Sequence, residues 1–225
     1  MHVVPQTVPA LYDGAASSVA VVVLLLEFLM LRAALLRAQV RLYAAQSLAV
    51  SILAVIVAYG RGVPELYVLA VLATALKVVA VPLVLMRLLR DAKAEIAGSG
   101  AVGVATEVLI SILVAGVGFF VVGSLHITSP VLPATALSLS VAVVLVSFVL
   151  MIMRRDVVSQ AVGFFSLENG VSLASLVVAA GLPLILEVAF LFDLLVADVV
   201  FGVLMRLHHA RTRSLSTEML TRLRG

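Results

Sequence analysis

The chain has 225 residues, 64% of them hydrophobic and 12% charged, with 15 Lys and Arg against 12 Asp and Glu, a formal net charge of +3 and a mean hydropathy of +1.26. A water-soluble domain carries about 25% charged residues, so this little charge cannot cover so much apolar mass, and an ordinary soluble domain is excluded. The absence of cysteine excludes a disulfide framework, a thiolate metal site, iron–sulfur ligation and a cysteine nucleophile, which leaves any redox chemistry to a partner. The basic residues are dispersed between apolar segments instead of gathered into a patch, which argues against nucleic acid and makes them topology signals.

Apolar runs long enough to cross a bilayer need about 20 residues each, and the sequence holds about seven. In chain order they run from Ala16 to Leu36, Leu42 to Tyr59, Leu66 to Leu88, Val102 to Leu125, Val131 to Met153, Val157 to Ala180 and Leu184 to Leu207. They are continuously apolar, as membrane helices are and alternating barrel strands are not. Pro5 and Pro9 lie in the leader, while Pro64, Pro130, Pro133 and Pro183 sit where helices begin and a missing N–H is harmless. Pro82 is the exception, inside the third run, where it leaves the carbonyl of Val78 without its helical partner and predicts a kink beside Lys77.

The class these runs define is all-α, a polytopic membrane helix bundle forming a single membrane domain over 1–225. Possible sub-parts are four helices in 1–129 and three in 130–225. Basic residues near helix ends resist translocation. Arg32, Arg37, Arg41, Arg87, Arg90, Lys93, Arg154, Arg155, Arg206, Arg211, Arg213, Arg222 and Arg224 fall on one side, and Arg61 alone on the other. That asymmetry places the N-terminus outside and the C-terminus in the cytoplasm. The leader, Met1 to Gly14, has no basic n-region, so the first helix reads as retained. In the tail, Leu215, Met219 and Leu223 recur at helical spacing, the pattern of a short surface helix; a solvated basic end is the alternative.

Chemistry in such a chain comes from ionisable groups inside the membrane, each costing about 2.5–3.5 kcal/mol at a helix centre on insertion scales. The candidates are Glu27, Lys77, Glu168, Asp193 and Asp198, with Glu187 nearer the outer end. Glu107 and Asp156 fall close enough to helix ends to reach water. Glu187 and Asp198 lie about three turns apart on one face, spanning about 16 Å, with Asp193 about 120° away. Carboxyls so separated need water or an acid from another helix to complete a proton chain, and Glu168 on the preceding helix is the obvious contributor. Lys77 is expected to pair with Glu27 or another acid, and a static buried pair is the plain alternative to a functional one.

Other patterns fail. Gly116, Gly118 and Gly123 lie within an apolar helix and serve close packing in preference to nucleotide binding. His208 and His209 are adjacent and point apart, and His126 has no evident ligand set. A retinal protein is discarded, because Lys77 is in the third helix, the seventh carries acids, and Trp is absent.

The stretch Gly163-Phe-Phe-Ser-Leu-Glu168-Asn169-Gly170, followed by Pro183-Leu-Ile-Leu-Glu187 and Asp193, resembles the C-terminal pattern of the hydrogenase-4 component E family, a membrane subunit of formate-hydrogenlyase-type complexes. Tyr43-Ala-Ala-Gln46-Ser47-Leu and Thr74-Ala-Leu-Lys77-Val-Val-Ala-Val-Pro82-Leu agree with it, so the resemblance covers most of the chain from the second helix onward. Over its last three helices that family is similar to subunit K of complex I and to the small C subunit of multisubunit cation/proton antiporters, where buried glutamates form part of a lateral proton path. The resemblance implies a multi-pass protein of the prokaryotic cytoplasmic (inner) membrane with no activity alone. Glu168 would be the first relay acid, Asp193 or Asp198 the second, and Lys77 a charged partner. It also implies antiporter-like membrane subunits and peripheral iron–sulfur and hydrogenase-like subunits as partners. Nickel–iron and iron–sulfur centres, where present, would reside in those partners, and no cofactor is expected in this chain. Two further readings remain: a scaffold with static acids, and a stand-alone proton or cation transporter, the latter without an apparent inverted repeat.

Overall fold

A computed structural model describes residues 10–92, 96–97, 102–125 and 134–178. These form α1 (Ala10–Arg32), α2 (Leu36–Arg61), α3 (Glu65–Ala73), a π-helical stretch (Thr74–Ala80), α4 (Val81–Ala92), α5 (Val104–Ser124), α6 (Ala134–Met153) and α7 (Val157–Val178). Because α3, the π stretch and α4 are continuous, there are six spans long and apolar enough to cross a membrane among the described residues. The chain is a multi-pass membrane protein, helical in its spans among the described residues. Helices answer the demand of a bilayer, where no water is available to satisfy a backbone N–H or C=O and each must be paired within its own segment.

The turns follow from local chemistry. The α2 helix ends at Gly62, whose φ of +65° is the left-handed cap that a side chain disfavours, and the Val63 N–H donates to the Ala58 carbonyl at 3.1 Å. Pro64 follows with φ −64° and starts α3, where its missing N–H costs nothing. The first turn differs from expectation. The chain reverses at Ala33 to Leu35, so Arg37 and Arg41 belong to the first turns of α2 and not to a loop. The cause is Gln39, whose Nε2 donates to the Met30 and Ala33 carbonyls at 3.2 Å each and satisfies the end of α1 from within α2.

The expected break at Pro82 takes the form of the π stretch. Proline offers no N–H to Val78, so an α-ladder cannot close there. The chain widens by one residue per turn instead, and the Val81 N–H reaches the carbonyl of Leu76, five residues back. Lys77 sits on this widened turn.

At one end of the bundle the end of α1, the starts of α2, α5 and α7, and the end of α6 meet. Leu35 pairs with Ile96 in an isolated antiparallel bridge, and the Ala97 N–H donates to the Ala34 carbonyl at 2.8 Å. Ser159 Oγ donates to Gln39 Oε1 at 2.7 Å, and Asp156 Oδ1 caps α7 by accepting from the Ser159 N–H at 2.7 Å. Glu107 and Asp156 do not reach water as expected: both are buried, Glu107 against Arg154 and Asp156 in its cap. Arg154 Nε lies 3.2 Å from Glu107 Oε1, and its Nη2 donates to the Leu31 carbonyl.

The core divides into two hydrophobic clusters stacked along the bundle axis. One, at the arginine-rich end, includes Met30, Val40, Tyr43, Leu85, Val146, Leu150 and Phe165; the other includes Ala20, Val23, Val50, Leu53, Ala70, Val143 and Leu173. In α1, α2 and α7 the buried side chains that lie between the two clusters are the polar ones, Glu27, Gln46, Ser47, Ser166 and Asn169, and that layer is the candidate site. Close packing of α6 on α5 and α7 is set by Gly118 and Gly170, where an added Cβ would lie 2.7 Å from Leu145 Cδ1 and 2.8 Å from Val144 Cγ2. Of the three glycines expected to pack, Gly116 has open space around it and Gly123 meets only Ser138 Oγ, at 4.0 Å.

Candidate functional site

The layer between the two clusters is built from one to three residues of each contributing helix. Glu27 comes from α1, Gln46 and Ser47 from α2, Lys77 from the π stretch, Ser147 from α6, and Ser166, Glu168 and Asn169 from α7. In α1 the order Val23, Glu27, Met30 passes from one cluster through the layer to the other at helical spacing, and in α7 the order Phe165, Ser166, Asn169, Leu173 does the same. The Tyr43 and Phe165 rings, with centroids 5.8 Å apart, tie α2 to α7 just beneath the layer.

Glu27 is wholly buried and its carboxyl is surrounded by donors. Gln46 Nε2 donates to Glu27 Oε2 at 2.9 Å and to the Val23 carbonyl at 3.2 Å; Ser147 Oγ donates to Glu27 Oε1 at 3.1 Å, and Ser166 Oγ contacts Oε2. Each serine also has a second acceptor. Ser147 Oγ lies 2.9 Å from the Val143 carbonyl and Ser166 Oγ 2.8 Å from Gln46 Oε1. A hydroxyl has one proton to donate. With Glu27 ionised, both serines turn toward it; with Glu27 protonated, the acid donates to a serine, which passes its own proton on to its alternative acceptor. The site is therefore hydrogen-bonded in both protonation states, the arrangement a group needs if it is to gain and lose a proton inside a membrane.

Beside this network lies a buried ion pair. Lys77 Nζ stands 3.1 Å from Glu168 Oε1 and donates to Ser172 Oγ at 3.2 Å. The side chains are 4% and 15% exposed, so both charges are held within the bundle and balance each other there. Asn169 joins the two centres. Its Nδ2 donates to Gln46 Oε1 at 3.0 Å and to Ser47 Oγ at 2.8 Å, one residue along α7 from Glu168. Among the described residues no three His, Asp or Glu side chains come together as a metal ligand set.

The structure thus brings Glu27, Lys77 and Glu168 into one layer and selects the partner of Lys77 among the acids the sequence left open. Lys77 pairs with Glu168 and not with Glu27, because the π turn presents it to α7 while Gln46 occupies the side of α2 that faces Glu27. Glu187, Asp193 and Asp198, together with the seventh apolar run and the basic tail, lie outside the described residues. Sequence reasoning about charge missed Gln46, Ser147, Ser166 and Asn169 as site members. Their signal was present, since an amide or hydroxyl costs a membrane helix less than a charge yet still seeks a partner across a helix interface.

These features define a polytopic helical membrane protein with ionisable groups held in a hydrogen-bonded layer at the middle of its bundle. The chain is 31% identical over 174 residues to the uncharacterized protein Rv0085 of Mycobacterium tuberculosis, an alignment that covers 75% of this chain and 77% of that one. The chain belongs to the family of that protein. No protein-family model matches it, and no solved structure matches it.

Proposed function

We propose that the chain is a non-catalytic membrane subunit of a complex-I-related hydrogenase or formate-hydrogenlyase-like assembly in the prokaryotic cytoplasmic membrane, and that its buried carboxylates take part in proton movement coupled to electron transfer. The observation that carries this reading is the Lys77–Glu168 ion pair, 3.1 Å apart in the polar layer between two hydrophobic clusters. A charge pair there is expensive to bury, and protonation of its acid uncovers the opposing cation, so its occupancy and the local field are linked. The resemblance to hydrogenase-4 component E supports the same reading, because Glu168 is its first relay acid, with Asp193 or Asp198 second and Glu187 on the same helix. On this reading the membrane holds about seven helices, the six described and Leu184 to Leu207, with the arginine-rich end in the cytoplasm. Nickel–iron and iron–sulfur centres belong to peripheral partners.

Glu168→Gln tests the proposal. The variant keeps shape and hydrogen bonding, so the expected result is normal assembly with loss of the proton movement that accompanies electron transfer in native membrane vesicles. An unchanged proton-to-electron ratio overturns the relay. The assembly itself is tested by mass spectrometry of what copurifies with the tagged chain in mild detergent. Hydrogenase-like, iron–sulfur and antiporter-like subunits are expected, and a clean homo-oligomer rejects the reading in favour of a stand-alone transporter. The Glu107–Arg154 pair, which fastens the end of α6 to α5 and to the Leu31 carbonyl, favours a second reading in which the acids are structural. That reading predicts a normal ratio in Glu168→Gln.

A further inference from the structure

A cavity of about 60 Å³ opens beside the Lys77–Glu168 pair, walled by α2, α3, the π stretch and α7. Most of its wall is apolar, yet three buried polar atoms on that wall have no hydrogen-bond partner: Ser51 Oγ, Ser175 Oγ and Asn169 Oδ1. Ser51 is 4% exposed and Asn169 wholly buried. Orphaned polar atoms are costly inside a membrane bundle, and three of them converging on one space call for a shared partner. The space is large enough: a water molecule takes up about 30 Å³ in the liquid and needs two to four polar partners to stay in a cavity. Two hydroxyls, an amide oxygen, an ammonium and a carboxylate on one wall supply them.

We propose that this cavity holds bound water, which completes a hydrogen-bonded connection from the Lys77–Glu168 pair through Asn169 and Gln46 to Ser166 and Glu27. Asn169 is the joint, since it lines the cavity with an unpartnered Oδ1 free to accept from the water while its Nδ2 holds Gln46 Oε1 at 3.0 Å. Gln46 Oε1 also lies 2.8 Å from Ser166 Oγ, the hydroxyl whose donor direction depends on whether Glu27 carries a proton. Amide side chains keep their protons, so the connection is not a proton wire. It couples two sites by orientation: proton loading at Glu27 turns Ser166 toward Gln46, which changes how firmly Asn169 is held and hence how the water meets Glu168. This inference rests on the relay reading for its purpose, but not for its existence.

The experiment exploits the absence of cysteine from the chain. Ser51→Cys and Ser175→Cys are nearly isosteric, and a thiol reacts with methyl methanethiosulfonate as its thiolate, which forms in contact with water and not in hydrocarbon. Mass spectrometry of the intact chain in its membrane follows the reaction. Ser140→Cys, buried where Ser140 Oγ already bonds the Leu137 carbonyl at 2.7 Å, is the dry interior control, and Ile52→Cys, 49% exposed on the outside of α2, is the lipid-facing control. Modification of both cavity cysteines about tenfold or more faster than both controls is expected; rates equal to the controls overturn the hydrated cavity. The connection is read by infrared spectroscopy of the Glu27 carboxyl band, identified by its loss in Glu27→Gln. Lys77→Met shifts that band in the parent chain and leaves it unmoved in an Asn169→Leu background. An equal shift in both backgrounds overturns the link. Neither readout uses proton flux. Reactive cavity cysteines with a normal proton-to-electron ratio in Glu168→Gln would sink the relay alone, and unreactive ones with a lost ratio would sink this inference alone.

Discussion

Two buried ion pairs in the bundle share a chemistry and differ in their surroundings. Arg154 and Glu107 lie at the arginine-rich end, 3.2 Å apart. Arg154 is fastened further by Nη2 to the Leu31 carbonyl, and its own carbonyl accepts from Gln160 Nε2 at 2.9 Å. Lys77 and Glu168 are as close, at 3.1 Å, but sit beside a cavity with unpartnered hydroxyls and on a helix widened by a proline. Burial of charge alone therefore does not mark a working site. A cavity at its side and a widened turn beneath it are what set the Lys77–Glu168 pair apart from a pair fastened to the backbone of a neighbouring helix.

The largest effects should come from breaking each pair on one side. Arg154→Leu leaves Glu107 buried without its cation, a cost of about 3–5 kcal/mol, read as a lower thermal midpoint of the purified chain in detergent. Adding Glu107→Leu should recover most of that loss, because a buried pair replaced on both sides by apolar residues is often neutral. The double variant should move protons normally. Lys77→Met with Glu168→Leu should likewise restore stability relative to either single variant, yet leave proton movement absent. A working Lys77–Glu168 double variant would erase the distinction between the two pairs.

Glu27 offers a smaller test of the same contrast. Glu27→Leu leaves one N–H of Gln46 without its acceptor and turns two serines back to their second acceptors, with an expected loss of about 1–3 kcal/mol. Glu27→Gln can accept from Gln46 and Ser166 at one end of its amide and donate to Ser147 from the other, so it should fall within about 1 kcal/mol of the parent. If the network is only structural, the Gln variant behaves as wild type in proton movement as well as in melting. If Glu27 exchanges protons, melting is preserved and proton movement is lost.

Six spans and the residues at their middle could be read from the sequence because hydropathy reports depth. Glu27, Lys77 and Glu168 stood out for the same reason, as charges within apolar runs. Which of them meet could not be read, because depth says nothing about which neighbour a helix face turns toward. The partner of Lys77 was left open between Glu27 and another acid, and the one-residue widening between Thr74 and Ala80 presents it to Glu168. The fate of Arg37 and Arg41 had the same cause in miniature. Charge marked them as a loop, whereas Gln39, a neutral residue between them, satisfies the end of α1 and lets α2 begin at once. Amides and serines escaped notice because they barely dent a hydropathy profile, although they make most of the layer's hydrogen bonds.

The smallest effects concern how tightly the layer is clamped, and glycine at three positions separates the cases. A methyl group on Gly170 would meet Val144 Cγ2 at 2.8 Å and both Val143 Cγ1 and the Val144 backbone nitrogen at 3.1 Å. The backbone nitrogen cannot step aside as a side-chain tip can, so Gly170→Ala must push α7 off α6 next to Asn169, at about 1–3 kcal/mol. Gly118→Ala meets Leu145 Cδ1 at 2.7 Å with the nearest backbone atoms at 3.6 Å. A rotamer change of Leu145 absorbs that contact, and a loss nearer about 1 kcal/mol is expected. Gly116 has nothing within 4 Å, so Gly116→Ala should lose nothing and gain up to about 1 kcal/mol from helix propensity in detergent melts. The order 170, 118, 116 is the test: an equal gain at all three would mean that the higher helix propensity of alanine and not the α6–α7 clamp governs these positions, and the layer would lose its claim to a tightly registered frame.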